Sequence, residues 1–253
     1  MKSLLIAFAM YSKIPVPQTD WEKRALSKAM CWLPLVGVVM ALVLAAWLKA
    51  AAFLQLSPFL TGTVAMLVPV ALSGGIHLDG LCDTADALAS NQSRERKLEI
   101  LKDSHTGAFA IILCGIYLLL SAALWTEADH SAWLVLALIP AVSRCAAGQL
   151  VVTMPNARGS GLLATFIEPM DGKVARVVMV LWCLGALVAL LAVDLALGAC
   201  AAAGALLCRI WFVHLAKKQF GGLTGDLAGC FLQLCETACV AAVVLGQKIG
   251  GVL

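Results

Sequence analysis

Charge is scarce in this chain. Only 13% of its 253 residues are Asp, Glu, Lys or Arg, while 62% are hydrophobic and the mean hydropathy is +0.94. Soluble domains carry about a quarter charged residues. The shortage excludes one or two ordinary soluble domains and points to an all-α, polytopic integral membrane protein with the lipid bilayer as its partner. No basic tail or basic–aromatic run is present, so nothing suggests nucleic acid as a partner. The ten cysteines (31, 82, 114, 145, 183, 200, 208, 230, 235 and 239) form no CxxC pair and mostly sit inside apolar runs. That argues against a disulfide framework or a zinc site and leaves them as small packing residues. There is no Walker A and no kinase signature. The opening "MKSLLIAFAM" has an apolar core too short for a signal peptide, so an interfacial segment stopped by "IPVP" is expected over residues 1–30.

What is present is a set of long apolar runs. A span needs about 20 mostly apolar residues, and the candidates are Leu33–Leu54, Phe59–Ile76, Ala108–Trp125, Trp133–Val152, Val174–Leu195, Leu197–Phe212 and Leu227–Leu245. This gives a single transmembrane domain over 1–253 with about seven spans. Six is the alternative if the fifth and sixth are one kinked unit, although Asp194 and Gly198 mark a tight hairpin there. The positive-inside rule tests the count. With the N-terminus in the cytoplasm, fourteen of the 18 basic residues fall on the inner side, while the outer loops near 55–58, 126–132 and 193–198 carry none. The acids Asp79, Asp83, Asp86, Asp103 and Asp226 fall on that same side, with residues 77–106 as a cytoplasmic loop holding the acidic motif.

That motif is "GGIHLDGLCDTADAL", residues 74–88. If 78–88 is helical, Asp79, Asp83 and Asp86 share one face. Their mutual repulsion, sharpened near lipid, calls for a positive partner. Mg²⁺ fits: a hard cation usually held by one or two carboxylates together with substrate phosphates. Gly74 and Gly75 permit close approach, and His77 is a candidate base or phosphate donor. The alternative is a solvated loop balancing Arg94 and Arg96. Ionisable groups at membrane depth are functional by default, so the site reading is preferred.

Three further stretches join it. In "GGLTGDLAG", 221–229, Asp226 follows Gly222 by four residues, as Asp79 follows Gly75. Gly222 and Thr224 suit a phosphate-binding turn and Asp226 a metal ligand; Glu236 further on is either another ligand or a buried, paired acid. In "KDSHTGAFA", 102–110, Asp103 and Ser104 are helix caps. The same helix start could bind an anion with Lys102 and His105 alongside, and Asp103 is a further candidate metal ligand. "PNARGSG", 155–161, offers Arg158 as a phosphate fork, and Arg144 inside the fourth span needs a partner or a polar cavity. Together these residues describe a Mg²⁺-dependent phosphoryl or phosphodiester transfer onto a hydroxyl, from an already activated substrate.

The residues resemble one family. "KIPVP", "PLVG" at 34–37, "GGIHLDGLCDTADAL", "KDSHTG" and "GGLTGDLAG" occur in the order seen in cobalamin (5'-phosphate) synthases, also called adenosylcobinamide-GDP ribazoletransferases. The resemblance spans almost the whole chain. It implies that the ribose 3'-hydroxyl of α-ribazole, or of its 5'-phosphate, attacks the cobinamide-side phosphorus of adenosylcobinamide-GDP and releases GMP, with Mg²⁺ required. It also implies a multi-pass protein of the bacterial inner membrane, and it leaves open a homo-oligomer or association with other cobamide-pathway enzymes. Cys82 and Ala87 stand where Ala and Gly are expected, and His105 where Arg is common. Two rivals are a CDP-alcohol phosphotransferase and a cation-coupled transporter. The first wants an Ala-Arg after "DG" at 79–80, which is missing; the second fits poorly with a nearly bare outer face.

Overall fold

The computed structural model describes residues 1–103, 105–159 and 172–251. Among these, regular structure is helical throughout, apart from one isolated bridge between Asn156 and Leu223. Six helices among the described residues are long and apolar enough to cross a bilayer. They are α3 (Leu33–Phe53), which continues a run from Ala25, α7 (Ala108–Glu127), α8 (Trp133–Thr153), α9 (Gly172–Val193), α10 (Leu195–Phe220) and α11 (Gly225–Gly250). The expected hairpin between the fifth and sixth runs is present: Asp194 caps α10 by accepting from Leu197 N–H at 2.8 Å. A single kinked unit is therefore excluded.

The second expected span behaves differently. Helix α4 (Pro58–Ser73) stops three residues short of the expected Ile76, and α5 (Ile76–Ala89) leaves it at 93°. The two count as a seventh crossing only if taken together. Gly74 (φ +67°) and Gly75 (φ +80°) make the corner, both in the left-handed region that a side chain disfavours. The Lys13 side chain lies over Gly74, and Lys13 N–H donates to Leu72 O at 2.7 Å. The acidic motif of the stretch 77–106 lies on α5, and a short α6 (Arg94–Ile100) follows it, tied to the end of α10 through Arg94 Nε to Lys218 O at 3.1 Å and Lys97 Nζ to Gln219 Oε1 at 2.6 Å.

Helix α1 (Lys2–Tyr11) is about 15 Å long, too short to cross. Its Ile6 and Ala7 are buried against Leu26 and Ala29, the latter in α2 (Lys23–Ala29). Helices α8 and α11 are the most enclosed, whereas α7, α9 and α10 present largely exposed apolar surfaces, as lipid-facing helices do. The opposite end of the bundle is closed by Lys248–Glu127 at 3.0 Å and by Lys49 over the Trp133 ring at 4.2 Å.

Candidate active site

Two helices build the site: α5 and the first turns of α11. At Gly80 a Cβ would stand 2.5 Å from Asp226 O and 3.1 Å from its Cα, and at Gly229 it would stand 3.2 Å from His77 Cα. The two contacts run in opposite senses along the helices, so α5 and α11 touch backbone to backbone. Asp79, Asp83 and Asp86 do share a face of α5, and this contact brings Asp226 to them. Asp79 is exposed; Asp83 and Asp226 are half-buried. Arg158 Nη2 donates to Asp226 Oδ2 at 2.9 Å, and Thr224 caps α11 by accepting from Leu227 N–H at 3.2 Å. Helix α5 lies outside the six long helices. Burial first, then the charges of Asp79, Asp226 and Asp86, opposed by Arg158, push the Asp83 carboxyl up to about 7.

The other acids take different places. Both Asp86 oxygens accept from the start of α7, Oδ2 from Gly107 N–H at 2.6 Å and Oδ1 from Ala110 N–H at 2.9 Å. The anion at that helix start is thus Asp86 itself, stabilised by the free N–H groups. Asp103 caps no helix, since α7 begins five residues later; it accepts from His105 N–H at 3.0 Å and faces the His105 ring at 2.6 Å, both residues being exposed. That partner holds the Asp103 carboxyl below its usual range. Asp103 and His105 do not join the α5–α11 set among the contacts described, and Lys102 is exposed. Ser104 lies outside the described residues. Gly222 is buried where a Cβ would stand 2.4 Å from Pro155 O, and the loop after α8 pairs with residues 221–224 through Leu223 N–H to Pro155 O at 2.8 Å. Gly74 and Gly75 serve the chain corner.

Arg144 sits 1% exposed inside the bundle, where Nη1 donates to Glu236 Oε1, to Pro140 O at 3.0 Å and to Ser143 Oγ at 3.2 Å. Of the two readings of Glu236, the structure shows the buried, paired acid, and Arg144 has an internal partner where a phosphate contact was expected. His77 is buried at the start of α5, and its Nδ1 makes no hydrogen bond. Burial, and then the charge of Arg144, hold His77 well below the usual histidine range, at about 3. It is a neutral ring and a weak base.

A cavity of about 260 Å³ opens beside this set. Arg158, Asp226, Thr224 and Asn156 line one part of it, and Leu33, Ile76, Ala147, Val151, Ala228 and Leu232 another, with Met10 and Tyr11 of α1 and His77 completing the wall. The cavity residues of α1 and α8 are the ones sequence reasoning missed. Only "KIPVP", just after α1, hinted that the first residues matter.

Among the described residues no three His, Cys, Asp or Glu side chains form a ready-made metal cage. The donor set is nonetheless all oxygen, carboxylates at an open surface beside an arginine. It suits a hard cation that completes its shell with substrate phosphates and water.

Residues 3–244 match the family model described as Cobalamin-5-phosphate synthase. The chain is 40% identical over 249 residues, covering 98% of this chain and 95% of the relative, to an adenosylcobinamide-GDP ribazoletransferase of Lachnoclostridium phytofermentans. Proteins of the same name from Pseudomonas putida strain GB-1 (35% identical; 97% and 100% covered) and Clostridium perfringens strain SM101 (31%; 93% and 94%) are also similar. No solved structure matches.

Proposed function

Because the chain belongs to the cobalamin-5-phosphate synthase family, and is thereby an enzyme of cobalamin synthesis, we propose that the α5–α11 contact is where its transfer takes place. The reaction is attack of the ribose 3'-hydroxyl of α-ribazole, or of its 5'-phosphate, on the cobinamide-side phosphorus of adenosylcobinamide-GDP. The new O–P bond forms, the bond from that phosphorus to the oxygen of GMP breaks, and GMP leaves. Family membership decides against the CDP-alcohol phosphotransferase and the transporter. The observation that carries the assignment is the convergence of Asp79, Asp83 and Asp226 with Arg158 from three separate parts of the chain.

In this reading Asp79 and Asp226 would hold Mg²⁺, which when bound would neutralise the diphosphate charge. Asp83, held ionised by the cation when it is bound, takes the proton from the attacking hydroxyl as a positioned carboxylate base. Arg158 orients a phosphate oxygen through its fork. Asp86 works at one remove, fixing the start of α7 against α5. The site faces the cytoplasm of the bacterial inner membrane, supported by the gathering of fourteen of the 18 basic residues toward that end. GMP release from adenosylcobinamide-GDP, measured in membranes containing the enzyme, tests the whole reading. Release should require both acceptor and Mg²⁺; acceptor-independent release, or equal release in excess chelator, would count against it.

A further inference from the structure

Resting on that reading, we propose that the cavity beside Arg158 and Asp226 seats the base of the acceptor nucleoside, a flat bicyclic aromatic ring with one unglycosylated nitrogen that accepts a hydrogen bond from His77. The cavity has two characters. Arg158, Asp226 and Thr224 line it where it borders the acidic set, so a ribose there lies next to Asp83. Elsewhere the wall is aliphatic, including Leu33, Ala147 and Val151. Pockets of this kind take apolar rings and fix them with a few placed polar groups.

His77 supplies the second observation. It lines the cavity, is 6% exposed, and its Nδ1 has no hydrogen-bond partner. A buried polar atom left unpaired is unfavourable, and a ligand nitrogen would relieve it. The unpaired Nδ1 offers one hydrogen bond into the cavity, which matches a base whose exposed polar edge is a single ring nitrogen. The guanine of the donor presents several donors and acceptors, most of which the aliphatic wall would leave unpaired. The corrinoid half is far too large for about 260 Å³.

The test uses membranes containing the full chain, with α-ribazole, the riboside of unsubstituted benzimidazole and the riboside of a larger naphthimidazole as acceptors. Ala147→Leu fills the cavity and should raise the KM for α-ribazole about tenfold or more, while the KM for adenosylcobinamide-GDP stays within about twofold. His77→Phe, which keeps the bulk of the ring, should raise the same acceptor KM. Val151→Ala only removes volume, and should shift kcat/KM toward the naphthimidazole riboside by about tenfold; it decides the matter if Ala147→Leu fails to insert. Wild-type acceptor KM and base preference in the inserted variants overturn the assignment, as does a rise confined to the donor KM. The underlying reading fails differently: the wild-type enzyme then releases no GMP with any acceptor.

Discussion

The backbone of Asp226 rests on Gly80, with its carbonyl oxygen 2.5 Å from where a Cβ on residue 80 would lie. The proposed metal ligands Asp79 and Asp226 sit on opposite sides of this contact, with the proposed base Asp83 on the α5 side, so the spacing of the set depends on the absence of one methyl group. Gly80→Ala forces α5 and α11 apart. A displacement of about 1 Å costs about 10²-fold in rate. That loss should appear in kcat for GMP release while the amount of inserted protein stays normal. Near-wild-type turnover would show that the spacing is not critical.

Asp83→Asn should abolish transfer, and Asp79→Asn and Asp226→Asn should each reduce it by about 10²-fold or more, all three inserting normally. Excess Mg²⁺ should partly rescue Asp79→Asn and leave Asp83→Asn inactive. If Asp79→Asn and Asp83→Asn both turned over near normally, the metal and base assignments would be wrong.

The Asp83 carboxyl, pushed up to about 7, holds a proton below that pH in the metal-free enzyme. A cation entering the acidic set favours the ionised carboxylate, so proton and cation oppose each other. The Mg²⁺ concentration for half-maximal activity should therefore rise as pH falls below about 7, by up to about tenfold per unit, and level off above it. Activation curves at several pH values measure this; a flat dependence from pH 6 to 8 would remove Asp83 from the set.

Arg144 and Glu236 make a buried pair, and removing one partner strands the other. Arg144→Met or Glu236→Leu alone should destabilise the protein by about 3–5 kcal/mol, whereas the double variant should recover most of that. Thermal aggregation in detergent gives the stabilities. The double variant should also release GMP faster than either single variant. A stable but inactive double variant would instead restore the phosphate role expected of Arg144.

The long apolar runs and the helical spacing of Asp79, Asp83 and Asp86 were legible in sequence, because lipid imposes long apolar runs and the helical repeat sets the spacing. The corner at Gly74–Gly75 was not. Ile76 is apolar and continues the run, and nothing local shows that Lys13 packs over the turn. Asp86 looked equivalent to Asp79 and Asp83, since spacing places three carboxylates on one face without saying that α7 begins beside the third. Pairing at a distance defeated the reading of Arg144, whose partner lies 92 residues away. The cavity was hidden for the same reason, its wall being shared by α1, α3, α5, α8, the loop after α8 and α11.

That separation has a consequence during synthesis. At about 5–20 residues per second, several seconds pass between the making of Arg144 and the making of Glu236. For that interval α8 carries a guanidinium whose final counter-charge does not yet exist. Its interim partners are on α8 itself, the Pro140 carbonyl one turn back and the Ser143 hydroxyl. A ribosome stalled before α11 should thus leave α8 the least securely inserted helix of the nascent bundle, and α11, the last to arrive, the one that locks it in place.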